Sequence, residues 1–204
     1  ETKKNLIRLY NVDEKKIEVV HPHNRVNNQI EKFNLPKNFI LFVGNRSDYK
    51  NFNFLVKCLS KMNLKLVCVG GSNFNKIEKL EIKQNSLTKD IYYFKLNDNQ
   101  LNYAYQNAMC HVIVSEAEGF GLTILEAQKN NCKVLCPNLS IFNEVGKDSI
   151  FYFNLNDAKD FKTQLSRIVN NNYDKNIYEK MRRNIKKYNL IDKKKSLKEI
   201  FCSV

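Results

Sequence analysis

The sequence predicts a parallel, doubly wound α/β sheet with helices on both faces and a helical C-terminus. Short runs of apolar and β-branched residues alternate with segments of helical spacing along most of the chain. The run 39–43 is continuous rather than alternating, as expected of a strand covered on both sides. The chain holds only six glycines, and each lies at the end of such a run or in the turn or short helix after it. About 14 would be expected at average usage. A chain this sparing of glycine keeps it where backbone conformation or ligand approach demands it.

Residues 1–16 read as a polar helix with Leu6, Ile7 and Tyr10 as a small apolar stripe, and 17–20 as a short strand ended by His21, Pro22 and His23. Residues 24–37 are polar and Asn-rich and form a loop closed by Pro36. The run 39–43 is the next strand, closing on Gly44. After a loop to Lys50, residues 51–62 have helical spacing at Phe54, Leu55, Cys58 and Leu59. Residues 64–69 repeat the strand form before Gly70 and Gly71, a polar helix covers 75–84, and 91–94 is a strand. Asp98 is read as the N-cap of a helix through Asn107. Then come a strand at 111–114, a glycine turn at 118–121 and a helix over 122–131. A strand at 133–136 is broken by Pro137, Glu144 and Gly146 lie in a short helix or turn, and 150–153 is a further strand. Three helices, 157–170, 175–188 and 192–201, complete the chain.

Ligands of such a sheet bind at the carboxyl ends of its strands. The cleft is therefore expected from residues 44–50, 70–72, 95–97, 115–121 and 137–144. Arg46 and Lys50 place two cations on one loop at a helix start, suited to a diphosphate by charge and forked hydrogen bonds. Glu118 stands at the turn formed with Gly119, Phe120 and Gly121, and Glu126 follows eight residues later inside the helix that opens at Leu122. The free N–H groups of that helix start favour an anion, and carboxylates nearby suit a hydroxyl-rich ligand.

The length sets one core and one domain, and no apolar run is long enough to cross a membrane. Six cysteines (58, 68, 110, 132, 136 and 202) form no Cys-x-x-Cys pair, sit mostly in apolar runs and read as buried thiols of a reducing compartment. Three scattered histidines with no His/Cys cluster argue against a bound metal. The net charge of +13 thickens toward Lys186, Lys187 and Lys193. That run lacks interleaved aromatics for stacking, so a solvated helical face is favoured over nucleic-acid binding, with contact to an acidic membrane surface as a middle option.

The stretch Ser115, Glu118, Gly119, Phe120, Gly121, Glu126 and Ala127 resembles the Glu-x7-Glu signature of the retaining GT-B glycosyltransferases of family 4, with Val114 where proline is usual. Four further segments match in order. Residues 42–52 look like the Val-Gly-x-Arg-x-x-Tyr-Lys-Asn-Phe form of the basic loop, and 66–71 like the second glycine turn. Residues 94–101 are similar to the base-holding segment, and 142–149 to the Pro-Glu-Val-x-Gly-Asp element with Asn143 in place of proline. In the commoner form of the basic loop Arg directly follows Val-Gly; here Asn45 stands there and Arg46 comes next.

The resemblance implies the Rossmann-like, nucleotide-sugar donor half of a GT-B enzyme. In it Arg46, Lys50 and Glu118 would be catalytic, the two cations neutralising the departing diphosphate with help from the backbone of Phe120, Gly121 and Leu122. Gly44, Asn45, Gly70 and Gly119 would line the donor site, Lys95 and Leu96 would meet the base through backbone, and Glu126 the ribose. No metal or other cofactor is implied. The donor is expected to be GDP-mannose before a UDP-sugar, because the Tyr-Lys-Asn-Phe form is reminiscent of mannosyltransferases of bacterial surface-polysaccharide assembly. Residues 1–20 resemble the end of a missing N-terminal domain that would bind the glycan or lipid-linked acceptor, 21–190 the donor domain and 191–204 a C-terminal helix. The start without Met is expected to mark a piece of a longer protein, cytoplasmic and near the inner face of a membrane. Two other classes compete: a GT-B-fold sugar-nucleotide epimerase, set apart by acid/base carboxylates on a partner domain, and a non-enzymatic basic module, set apart by tight binding to one polyanion.

Overall fold

A computed structural model describes residues 2–20 and 29–191. Strands β1 (Phe39–Val43), β2 (Lys65–Val69), β3 (Ile91–Phe94), β4 (His111–Val112), β5 (Val134–Pro137) and β6 (Phe151–Phe153) form one sheet. Their order is β3-β2-β1-β4-β5-β6, and all the pairings are parallel. The helices are α1 (Thr2–Tyr10), α2 (Phe52–Leu59), α3 (Lys76–Gln84), α4 (Asp98–Asn107), α5 (Leu122–Lys129), α6 (Ser140–Gly146), α7 (Ala158–Val169) and α8 (Ile177–Ile191). This is the doubly wound order, with its switch point between β1 and β4.

Alternation along each strand feeds two cores. Ile40, Phe42, Leu66, Cys68, Val112 and Phe153 face the layer of α2, α3 and α7. Phe39, Leu41, Val67, Val69, Val134 and Cys136 face the layer of α4, α5, α6 and α8. Because both faces are covered, the strands carry no polar alternation. Each fully buried Leu, Ile or Phe contributes roughly 1.5–3 kcal/mol. The aromatics interlock as well, with the Phe153 and Phe161 ring centres 5.0 Å apart, edge to face.

Several boundaries differ from the sequence expectation. Residues 17–20 are extended but join no strand, and Val19 is 52% exposed. A β-branched run with no neighbour to pair with has no ladder to stabilise it. Asn97, not Asp98, caps α4: its side chain accepts from the Gln100 N–H at 2.9 Å while the Gln100 side chain accepts from the Asn97 N–H. Asp98 instead supplies the acidic first turn. Regular pairing of β4 stops at Val112, although the Ile113 N–H still donates to the Leu135 carbonyl. Pro137 closes β5 rather than breaking it before that position, since the last residue of a strand can spare its N–H and Asn138 donates to Phe153 instead. The segments expected at 21–23 and 192–201, and Cys202, lie outside the described residues. The other five cysteines are buried free thiols, and burial pushes each thiol's pKa up.

His111 sits at the seam of β1 and β4, fully buried. Its Nδ1 lies 3.0 Å from the Leu41 carbonyl, which makes it the protonated nitrogen, and Nε2 has no partner. The Tyr105 ring meets it edge to face at 5.5 Å. Burial pushes the imidazole down to about 4 from its ordinary 6.5, because a second proton would place an imidazolium in the core. The depressed folded value means that stability is whole above pH 6.5 and falls as pH drops toward 4. Urea unfolding at pH 7.5 and pH 5 should show a loss of roughly 2 kcal/mol that His111→Leu lacks. Equal acid sensitivity in both proteins would contradict the assignment.

Candidate active site

The loops after β1 and β4 part at the switch point and then bind each other again. Asn51, in the left-handed region at φ 54°, turns the first loop into α2. The Glu116 N–H donates to the Tyr49 carbonyl at 2.8 Å, joining the two loops by backbone. Beside that bond, Lys50 Nζ lies 2.6 Å from Glu118 Oε1, and the Ser115 hydroxyl donates to the same oxygen at 2.8 Å. The two charged side chains are only 14% and 19% exposed. Lys50 and Glu118, 68 positions apart, thus form one partly desolvated pair at the mouth of the sheet.

Gly121 adopts φ +89°, a conformation that other residues reach only with strain, and starts α5 without a side-chain cap. The Ile124 N–H turns back to the Gly121 carbonyl at 3.0 Å, so the Leu122 and Thr123 N–H groups, four and five positions after Glu118, are the ones left at the helix start, where anions are favoured. Gly119 borders open space, Phe120 meets Tyr188 edge to face at 5.8 Å, and Leu122 is half-buried. One turn into α5, Glu126 accepts a hydrogen bond from the Tyr105 hydroxyl at 3.1 Å. Burial raises the Glu126 carboxyl above its usual range, with the Tyr105 bond opposing and Asp98 adding to the rise.

The first two glycine turns touch. A Cβ on Gly70 would stand 3.3 Å from Gly44 N, and one on Gly71 3.2 Å from the Cα of Asn45. Arg46 lies in this seam with its guanidinium bonded to Glu78 and to the carbonyls of Gly70 and Ser72. Asn45 is exposed and accepts from the Ser47 hydroxyl. At the next loop Lys95 is exposed, while Leu96 packs on the core under α4.

Some contributors were not read from the sequence. Glu31 accepts from Asn97 and Gln100 at 3.0 and 2.7 Å, which lowers its pKa, and the Phe33 ring stands edge-on to Phe94 at 5.4 Å. Together they brace the 95–97 loop from a segment that looks merely polar. Tyr105 and Glu78 likewise act on positions 21 and 32 residues away, and only the Asn75/Glu78 cap spacing gave any local signal. A cavity of about 330 Å³ opens beside the Gly119 turn, lined by Leu6, Ile17, Val20, Phe120 and Ile141 among others. A larger, shallower hollow of about 710 Å³ runs along α7 and contains none of these residues. The smaller one touches the Gly119 turn but not Lys50, Glu118 or Glu126, and a third hollow, of about 240 Å³, lies against Arg46, Asp48, Asn75 and Glu78.

Fold and cleft together define a doubly wound α/β domain with a glycine turn, an uncapped helix start and the Lys50–Glu118 pair at its switch point. Residues 24–189 match the family model described as glycosyl transferases group 1, and the chain belongs to that family. It is 26% identical over 170 residues to the O-antigen chain mannosyltransferase RfbU of Salmonella typhimurium, covering 81% of this chain and 48% of that protein. It is 27% identical over 125 residues to the O-antigen biosynthesis glycosyltransferase WclY of Escherichia coli, covering 60% and 35%. The chain thus spans about half, or less, of the length of these curated relatives. Among solved structures, a sucrose-phosphate synthase from Thermosynechococcus elongatus superposes with a TM-score of 0.72 at 19% identity, over 83% of this chain and 46% of that one. The lipopolysaccharide outer core galactosyltransferase WaaB superposes at 0.68 and 16%, over 99% and 60%. These likenesses show the fold, a parallel α/β sheet shared with GT-B glycosyltransferases. Among the described residues no helix is long and apolar enough to cross a membrane.

Desolvation makes Glu126 costly to keep ionised. Glu126→Gln keeps an acceptor for Tyr105 and removes the buried charge, so it should raise the melting temperature at pH 8 more than at pH 5. A variant destabilised equally at both values would mean that the carboxylate is well solvated.

Proposed function

We propose that this chain is the donor-binding half of a retaining glycosyltransferase. It would transfer a hexose, mannose before others, from a nucleoside diphosphate sugar to a glycan or lipid-linked acceptor. The observation that carries the reading is the Lys50–Glu118 pair set against the uncapped start of α5 at the switch point. The family membership and the relatives named for O-antigen assembly support it, and the mannosyltransferase name of RfbU favours GDP-mannose over a UDP-sugar as donor. A UDP complex is described for one solved neighbour, TarM of S. aureus, so both bases belong in the test.

In this reading the bond from the anomeric carbon to the diphosphate breaks, the diphosphate leaves with the bonding pair, and an acceptor hydroxyl oxygen bonds to the same carbon and gives up its proton to the departing diphosphate. Its growing charge is met by the Lys50 ammonium and by the first-turn N–H groups of α5, in place of a metal ion. Glu118 exchanges Lys50 for sugar hydroxyls, keeping the Ser115 hydroxyl as a donor. Glu126, steadied by Tyr105, accepts from the ribose hydroxyls, and the backbone at Lys95 and Leu96 meets the base. Gly44 and Gly119, where no side chain intrudes, let the donor approach the backbone. The acceptor would be held by a further domain, with which the basic surface lies against the inner face of a membrane.

Calorimetric titration with GDP, UDP and ADP tests this directly. One nucleotide should bind one-to-one, and Lys50→Ala and Glu126→Ala should each weaken it by about tenfold or more. This chain alone should bind donor yet transfer sugar poorly. Failure of the full-length protein to bind any of the three would overturn the reading.

A further inference from the structure

Arg46 and Lys50 share a loop but not a situation. The Arg46 side chain is 4% exposed. Its Nε donates to Glu78 Oε1 at 2.8 Å, one terminal nitrogen donates to the Gly70 carbonyl at 3.3 Å, and the other to the Ser72 carbonyl. The guanidinium carbon stands 4.8 Å from the Phe74 ring centre, 5.5 Å from Tyr93 and 5.7 Å from Phe52, within the range of cation–π attraction. The other Glu78 oxygen accepts from the Asn75 N–H at 2.7 Å, so the carboxylate is itself fixed at the start of α3.

We propose that Arg46 is a positioning residue that clamps the first glycine loop to the second, and is not a ligand of the diphosphate. The proposal rests on reading the cleft as a donor site. To reach a phosphate, the guanidinium would give up three hydrogen bonds and an aromatic box. It would also strand Glu78, 7% exposed, without its counter-charge. Lys50 would give up one hydrogen bond and the contact with a single ring, Tyr49 at 5.3 Å, and Glu118 would keep its Ser115 donor. The comparison leaves Lys50 as the phosphate cation of the loop. Gly70 and Gly71 complete the clamp: at φ +92° and +68° a side chain would be strained, and its Cβ would crowd the backbone of Gly44 and Asn45 at 3.3 and 3.2 Å, while the Gly70 and Ser72 carbonyls accept from Arg46.

The test compares affinities for guanosine, GMP and GDP, or the uridine set if the wild type prefers it, in Arg46→Lys, Glu78→Gln and Lys50→Ala. A clamp sets the shape of the whole site, so Arg46→Lys should weaken all three ligands by a common factor of about tenfold. Lys50→Ala should instead erase the advantage of the diphosphate over the nucleoside. Glu78→Gln decides the matter even if Arg46→Lys fails to fold. It weakens GDP if Arg46 is a clamp, and strengthens GDP if it frees Arg46 to bind phosphate. Selective loss of the diphosphate in Arg46→Lys, or tighter GDP binding in Glu78→Gln, would overturn the proposal. Amide hydrogen exchange judges it without any nucleotide. The Gly71 and Ser72 amides should exchange faster in both variants, and unchanged rates would refute the clamp. A wild type that binds no nucleotide, with the faster exchange still seen in Arg46→Lys and Glu78→Gln, would defeat only the donor-site reading.

Discussion

The cleft depends on β1 and β4 lying side by side. The Leu41 N–H donates to Cys110 and the Met109 N–H to Phe39, both at 2.9 Å, and Leu41 stands opposite His111. From this seam the sheet winds outward in both directions, so the loops that follow the two strands diverge and leave a crevice. The register cannot slip. Moving β1 by one residue would turn Ile40 and Phe42 toward the α4–α5 layer and Phe39 and Leu41 toward α2, misfitting both cores at once. Two cores that share one strand therefore fix where Lys50 and Glu118 come to rest.

Charge in the cleft is organised in pairs with different freedom. Arg46 with Glu78 is sealed by aromatic rings and two carbonyls, whereas Lys50 with Glu118 stands where two loops open. A buried pair is costly to break because the partner is left behind unpaired, so the sealed pair belongs to the scaffold. The open pair can exchange one oxyanion for another at little cost. Such a pair keeps its cation positioned before a ligand arrives, which spares part of the ordering entropy of a long side chain. Much of the large positive charge lies elsewhere, on exposed helix faces where single ion pairs contribute little.

What was legible in the sequence was local. The strands at 39–43 and 91–94 coincide with β1 and β3, because each is an unbroken apolar run ended by a residue that leaves the sheet. The glycine turn stood out because glycine is so scarce here. The order of loops around the cleft followed from the winding rule alone. What escaped was set by distant partners. The basic loop reads as two cations for one diphosphate, with Arg46 one place out of the usual register, and its pairing with Glu78 from α3 is invisible in the sequence. Nothing local in the sequence singles out Tyr105, yet its hydroxyl steadies Glu126. Residues 17–20 have strand composition, but composition cannot supply the neighbour that a strand needs.

The central claim is that an anionic, hydroxyl-rich nucleotide binds at the switch point. Amide chemical-shift mapping during titration of the chain with GDP and UDP tests it most directly. The account predicts shifts gathered at Gly44 to Lys50, at Gly70, at Lys95 and Leu96, and from Gly119 to Leu122, with α7 unmoved. Shifts centred on Lys159, Lys162 and Arg167 along the α7 hollow, with the glycine turns silent, would contradict it.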